Sequence, residues 1–419
     1  MSLLRLALLS LWNRRLTAIL TILGIALSVT LFLSVEKLRT GARDSFANTI
    51  SGTDLIVGAR AGDVQLLLYS VFRIGDATNN VTWESYQDIA ARREVDWIVP
   101  ISLGDSHRGY RVVGTTTGFF DHYRYRRDTG LRFADGAAFD DLFDTVVGAD
   151  VAAALGYAVG DRIVVSHGTG RGSGAEHDDK PFRVTGILAK TGTPVDRAVH
   201  VSLEAIEAIH VDWQGGGRVE GLQIPAERVR NMDLTPGTVT AALVGLKSRI
   251  TTFRFQRFVN GYEEEPLTAI LPGVALSNLW SLVGVAERAL SAVSLMVIVT
   301  ALLGLVTTLL ASLEERRREM AILRANGASP RTVMALLTAE SGMIALAGAL
   351  LGLGFLHILL FALQPLLDSR FGLYLKVDPP GLREGAILAF IVLAGVVAGL
   401  VPAWRAYRRS LADGMSIRS

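Results

Sequence analysis

The chain has 419 residues, 50% of them apolar and 20% charged, with a mean hydropathy of +0.36; that balance belongs to membrane proteins and excludes a purely soluble chain. Forty-two Lys plus Arg against forty Asp plus Glu leave a formal charge of +2, so no bulk basic surface marks nucleic acid as the main partner. Without cysteine, the chain has no disulfide, thiolate metal site, cysteine nucleophile or lipidated N-terminal cysteine.

A hydrocarbon core of about 30 Å takes about 20 apolar helical residues. Residues 1–15 form a basic, amphipathic start with Arg5, Arg14 and Arg15 and no acid, and residues 16–35 supply the first uncharged run. That run is longer than a signal-peptide core, and no small-residue cleavage site precedes Glu36 and Lys37, which predicts an uncleaved anchor. Residues 36–46 continue the helical pattern beyond the span. The segment 36–288 reads as one large mixed α and β domain: strand alternation at 162–166, 182–188 and 198–201, and a capped helix opening at Ser202 with Glu204 and Glu207. Residues 168–174 are Gly- and Ser-rich, and with 175–180 they predict a solvated, mobile loop; 215–217 is a second break.

Leu279, Leu282, Val283 and Ala286 keep helical spacing into a second span at 289–313. The third run, 332–367, carries Glu340 as its one acidic or basic charge; as a single helix it is about 54 Å long, more than the core. Its first turns are therefore expected at the interface, with the span at 341–363, a short loop at 364–384, a fourth span at 385–404 and a tail at 405–419. Gly348 with Gly352 and Gly395 with Gly399 form two GxxxG pairs that permit close helix approach, although glycine is also simply common in membrane helices. Bases outnumber acids at 1–15, in 314–331 and after Trp404, whereas 36–288 has more acids than bases and 368–384 is balanced. The positive-inside rule then puts both termini and 314–331 in the cytosol.

No Walker A string, HExxH or GxSxG occurs, so neither ATP binding nor hydrolysis by this chain is signalled; it reads as a non-catalytic subunit. Gly170, Gly172 and Ala175 match G-x-G-x-x-A, but no helical pattern follows. His167, His177, Asp178 and Asp179 share one loop, yet their spacing fits no known ligand pattern, and solvated loop residues are the plainer reading; no metal site is assigned. Glu340 and His357 lie on different faces of their helix, so a proton relay is not expected, and Glu340 is placed at the cytosolic interface. The segment 314–331 begins ERRRE directly after a span and continues at helical spacing, with Met320, Ala321 and Leu323 as an apolar knob and Gly327 as a C-terminal break. Such a helix suits an anionic lipid surface or a partner's groove.

The string RRREMAILRANGAS at 316–329 resembles the coupling-helix motif of FtsX/MacB-type (type VII, mechanotransmission) ABC transporter permeases. Arg5, Trp12, Arg14 and Arg15 leading into LTILGIALSV are similar to that family's N-terminal helix and first span, and Pro402, Ala403, Trp404, Arg405, Ala406 and Arg408 to its PAxRA ending. The order of one span, a large outer domain and three spans agrees along essentially the whole chain.

The resemblance implies a four-helix membrane protein of the inner (cytoplasmic) membrane with an α+β periplasmic domain, porter-like at 47–115 and 221–276 with a Sabre-like part at 116–220. It implies a separate ABC ATPase subunit that holds the ATP and Mg, a second permease copy in a homo- or heterodimer, and a periplasmic adaptor or substrate-delivery protein, with no cofactor in this chain. Arg316, Arg317, Arg318, Glu319, Met320, Leu323, Arg324 and Gly327 match coupling positions that face the ATPase, and Glu340 matches a Glu often found at the start of the third span. The expected work is export of a periplasmic compound or extraction of lipoprotein or lipid. Other readings are a signalling or scaffold protein that senses a ligand or regulates a periplasmic enzyme, and a membrane-anchored metal-binding protein.

Overall fold

The computed structural model describes residues 3–408 apart from 48, 127, 169–175, 215–216, 219–223, 316 and 372–378. Two compact units result: a helical one from Met1–Gly41, Gly284–Leu367 and Leu375–Ser419, and an outer one from Ala42–Val283 with Asp368–Tyr374.

From the start of the chain, α1 (Leu3–Asn13) is followed by α2 (Arg15–Ala47), which continues well past the uncharged run. The outer unit then strings together β1 (Leu55–Ala59), α3 (Trp83–Ala90), β2 (Val95–His107), β3 (Tyr110–Thr115), β4 (Phe133–Gly136), β5 (Asp144–Val147), α4 (Ala149–Leu155), β6 (Phe182–Leu188), β7 (Ala198–Ser202), α5 (Leu203–His210), β8 (Ala241–Leu246), α6 (Thr252–Asn260) and β9 (Leu267–Ile270). The nine strands lie side by side in the order β9-β1-β8-β2-β3-β7-β5-β6-β4. Only β3–β7 and β5–β6 are parallel neighbours on this path. The expected porter-like segments supply β9, β1, β8, β2 and β3, and the expected Sabre-like segment the other four. The two sets meet in the parallel β3–β7 pair, where His200 is opposite Val113, so one sheet crosses the boundary between them.

Strand periodicity decides what each face buries. In β1, Ile56 joins the core with Val99, Phe119 and Leu243, while Leu55 and Val57 turn to the other face and pack with Val244, Phe255 and Leu267. A third core, with Val112, Val147, Phe182, Val199 and Ile209, lies beside α5. Each such fully buried side chain contributes about 1.5–3 kcal/mol. Helix α5 starts where its cap predicts, because the Ser202 hydroxyl accepts a bond from Ala205 N at 3.1 Å. The predicted strand at 162–166 is instead two short pieces, Arg162–Ile163 and Ser166–His167. Between them the Val164 carbonyl bonds the His107 ring and the Val165 carbonyl accepts from His177 N, so neither is free to continue a ladder.

Residues Pro272–Glu315 form α7, Arg317–Ala325 form α8, Pro330–Phe371 form α9 and Leu382–Arg408 form α10. Four stretches, Arg15–Gly41, Gly284–Ala311, Pro330–Leu366 and Leu382–Tyr407, are long and apolar enough to cross a membrane. Helix α9 is unbroken, so the first turns expected at the interface and the expected span at 341–363 lie on one continuous helix. The helices share a core in which Ile25, Val29 and Leu33 of α2, at i, i+4 spacing, meet Leu305 of α7, Leu356 of α9 and Ile391 of α10. At one end Lys37 pairs with Glu384 at 2.7 Å and Glu36 with Arg39 at 3.0 Å, and Arg383 reaches Glu36 as well, tying α2 to α10.

Candidate functional site

The connector between the second and third spans is built by its own sequence. Helix α8 ends in a left-handed residue, Gly327 at φ +90°, with Gly327 N bonded to Arg324 O at 3.1 Å and Ala328 N to Leu323 O at 3.0 Å. These are the two bonds of a Schellman motif. Ser329 then caps α9 through Thr332 N at 3.3 Å, with Pro330 at the first helical position, where its missing N–H costs nothing. The string Gly-Ala-Ser-Pro is therefore a stop followed at once by a start.

On α8, Met320 packs onto the cluster of Leu313, Val333, Leu337, Ala403 and Ala406, so it faces the helical core. Leu323 and Arg324 are half-buried, Gly327 is exposed, and among the described side chains of α8 the large apolar one that is exposed is Ile322, at 53%. The expected knob of Met320, Ala321 and Leu323 thus has its methionine turned inward, and Ile322, which the sequence reading passed over, presented outward. Its signal was available: Ile322 lies two positions from Met320, on the opposite side of a helix. Arg316 lies outside the described residues, as do the side chains of Arg317, Arg318, Glu319 and Ala321.

Both GxxxG pairs lie at helix contacts. A Cβ on Gly348 would meet Ile25 Cβ at 2.7 Å, and one on Gly352 would meet Ala26 O and Val29 Cβ at 2.7 Å, so α9 rests directly on α2. Thr30 Oγ1 donates across this contact to Gly352 O at 3.0 Å. Gly395 and Gly399 likewise leave no room for a Cβ against Ala345 and Ser341, which brings α10 onto α9. Glu340, expected at an interface, is 2% exposed next to the fully buried Ser341. His357 bonds back to Leu353 O on its own helix at 2.9 Å.

The outer unit gathers histidines that the sequence keeps apart. Register sets His167 of the short strand opposite Asp105 of β2. His210 ends α5, and His177 enters after the Gly-rich segment. Asp105 Oδ1 is 3.1 Å from His167 Nδ1 and 3.5 Å from His210 Nε2, and the two rings approach at 3.3 Å. His177 lies against Trp213, ring centres 4.4 Å apart, and against His210 at 5.1 Å. Asp178 and Asp179 stay out of this group, and Asp179 bonds Lys180 Nζ at 2.8 Å.

The expectation of a solvated stretch at 175–180 holds for the exposed Glu176 and Asp178 and fails at His177 and Lys180, which are both fully buried. The reason is an ion pair: Lys180 Nζ donates to both carboxylate oxygens of the buried Asp212 at 2.9 Å. Residues 169–175 of that expected loop lie outside the described residues. Burial pushes His177 down to about 4, with repulsion from His210 adding to it. His210 is also desolvated, yet its bond to the Asp105 carboxylate and that negative charge win and raise it. His107 belongs to the core: Nδ1 faces Val164 O at 2.6 Å, Nε2 faces the Tyr157 hydroxyl at 2.7 Å, and burial lowers it.

Residues 18–242 match the MacB-like periplasmic core domain, and residues 291–411 match the FtsX-like permease C-terminal domain. Macrolide export ATP-binding/permease protein MacB of Bordetella avium is 26% identical, over 97% of this chain and 58% of that protein. Pyoverdine export ATP-binding/permease protein PvdT of Pseudomonas syringae is 23% identical, over 95% of this chain and 56% of that protein. An uncharacterized ABC transporter permease of Methanocaldococcus jannaschii is 26% identical over 54% of this chain and 52% of its own length. The chain thus spans little more than half the length of these curated relatives. The periplasmic region of MacB from Actinobacillus actinomycetemcomitans aligns with 55% of this chain and 94% of its own, at 11% identity and a TM-score of 0.33. At that score the assignment rests on the family matches instead: one covers the first span with most of the outer unit, and the other runs through the last three spans. The chain is a multi-pass membrane protein with a periplasmic-type α+β domain, and it belongs to the FtsX/MacB-like family of ABC transporter permeases.

Proposed function

We propose that the chain is the permease subunit of an ABC transporter, coupling ATP hydrolysis in a separate ATPase subunit to motion of its outer domain. The observation that carries this reading is the connector α8, a short helix fixed at its end by the Gly327 and Ser329 caps and held by Met320, with Ile322 turned outward. An apolar residue held out from a rigid helix suits insertion into a partner's groove. Family membership supports an ATPase as that partner, with ATP and Mg bound there. The excess of bases at 1–15, 314–331 and the tail supports an inner-membrane orientation with both termini and α8 cytosolic. A second permease copy, a periplasmic adaptor and contact with lipid complete the proposed assembly. Its task is export of a periplasmic compound, or extraction of lipoprotein or lipid from the membrane.

Affinity purification of the detergent-solubilised chain from native membranes tests this, comparing wild type with Ile322→Asp. The expected outcome is a P-loop ATPase that accompanies wild type and is depleted with the variant, while both chains elute as folded protein. An ATPase missing from both, in detergents that keep complexes intact, would sink the reading. Stimulated ATP hydrolysis after reconstitution of the pair gives a second readout.

A further inference from the structure

Asp105, His167, His177 and His210 each offer a ligand atom, and all four atoms lie within 4.8 Å of one another. We propose that these residues form a binding site for one divalent transition-metal ion of the zinc class, held by three imidazoles and one carboxylate. A four-coordinate ion with bonds of about 2.0–2.1 Å holds its ligand atoms roughly 3.3 Å apart. Asp105 Oδ1, His167 Nδ1 and His210 Nε2 are already separated by 3.1, 3.3 and 3.5 Å, the spacing of one face of such a tetrahedron.

His177 supplies the fourth corner. It is fully buried, and among the described residues neither of its ring nitrogens has a hydrogen-bond partner. An imidazole in that condition carries an uncompensated desolvation cost, which coordination of one nitrogen lowers. The tautomer of His210 also fits. Its Nδ1 lies 2.7 Å from Ile206 O and must donate there, so in the neutral ring the lone pair is on Nε2, aimed at Asp105 and His167.

The support around the four residues is firm. Asp105 lies near the end of β2, paired with His167 of the short strand, and His210 is the last residue of α5. The segment bearing His177 is held by His177 N on Val165 O at 2.9 Å and by the Lys180–Asp212 pair. Trp213 lies over the His177 ring and limits water. Three nitrogen donors with one carboxylate favour Zn2+ and its neighbours Co2+ and Ni2+ over Mg2+ and Ca2+, which take oxygen. His107 is not a ligand, because both of its nitrogens are already occupied. The site stands whether or not the chain serves an ATPase.

Calorimetric titration of Zn2+ into the full chain in detergent, after stripping with EDTA, tests the site. Wild type and a His122→Ala control are expected to bind one ion per chain, His122 being stacked on Trp97 away from the cluster. His177→Ala and Asp105→Asn are expected to weaken binding by about 100-fold or more. His167→Ala, at a side chain 40% exposed, gives the same reading at a position tolerant of truncation. Substitution with Co2+ should give the intense visible bands of a four-coordinate ion in wild type and lose them in His167→Ala. Failure of the stripped wild-type chain to take up Zn2+, or uptake by the folded His167→Ala variant as tight as by wild type, would overturn the proposal.

Discussion

The helical unit and the outer unit use apolar residues in opposite ways. In the helical unit, large side chains such as Met296, Leu303 and Phe361 are 61–80% exposed, while Gly348, Gly352, Gly395 and Gly399 make helix contacts too close to admit a Cβ. Lipid is as apolar as leucine, so size and fit, not hydrophobicity, choose what goes inside. In the outer unit water surrounds the fold, and both faces of the sheet are covered by Val, Leu, Ile and Phe. Polar groups differ in the same sense. Helical Thr and Ser bond their own chain four residues back, as Thr21 does to Thr17 O and Ser28 to Gly24 O. In the outer unit they reach across the sequence, as Thr145 does to His200 O and Lys180 to Asp212. The helical unit satisfies most of its hydroxyls locally, with Thr30 also reaching Gly352 O on another helix, and sorts helices by shape; the outer unit draws more on distant partners.

That contrast breaks most visibly at the buried ion pair. Asp212→Ala leaves the fully buried Lys180 without its bidentate partner, at an expected cost of about 3–5 kcal/mol, while Lys180→Met with Asp212→Leu should recover most of the loss. Urea unfolding followed by tryptophan fluorescence, with Trp12, Trp83, Trp97, Trp280 and Trp404 replaced by Phe so that Trp213 alone reports, reads both. Next comes the glycine packing. Gly352→Leu collides with Val29 and Ala26 and should cost about 1–3 kcal/mol, whereas Gly354→Leu, with nothing within 4 Å of its Cβ position, should cost little. Equal losses of thermal stability in detergent would show that shape does not sort these helices.

A third test uses pH. Burial, with Arg73 nearby, lowers His200 to about 3, below its unfolded value near 6.5. The unfolded chain therefore binds the proton first as pH falls, so the stability held above pH 6.5 declines towards pH 3 by about 1.4 kcal/mol per unit for this residue. His200→Leu should flatten that part of the outer unit's stability profile. The smallest effect is expected at the connector. Gly327→Ala puts a Cβ at φ +90° and should cost about 1 kcal/mol, seen as faster hydrogen exchange at Ala328, with the rest of α9 unchanged.

What could be read along the chain was what short-range periodicity encodes. The four apolar stretches, the helical continuation past residue 35, the strand at 182–188 and the cap at Ser202 each depend on residues within a few positions of one another. The Gly-Ala-Ser-Pro turn is equally local. The three histidines of the cluster were visible as residues but not as neighbours. The loop reading paired His167 and His177 with Asp178 and Asp179, while Asp105 and His210 belong to a strand and a helix far away in sequence. Only the register of β2 with Ser166–His167 and the docking of α5 bring them together. The sequence by itself determined which segments are apolar enough to cross a membrane and where the best-patterned elements lie, such as the strand at 182–188 and the helix capped by Ser202, because those are properties of pattern and length. Which glycines touch which helix, which lysine is buried and which carboxylate meets three imidazoles were decided by the tertiary structure alone, because pairing register and close packing join residues that share no local pattern.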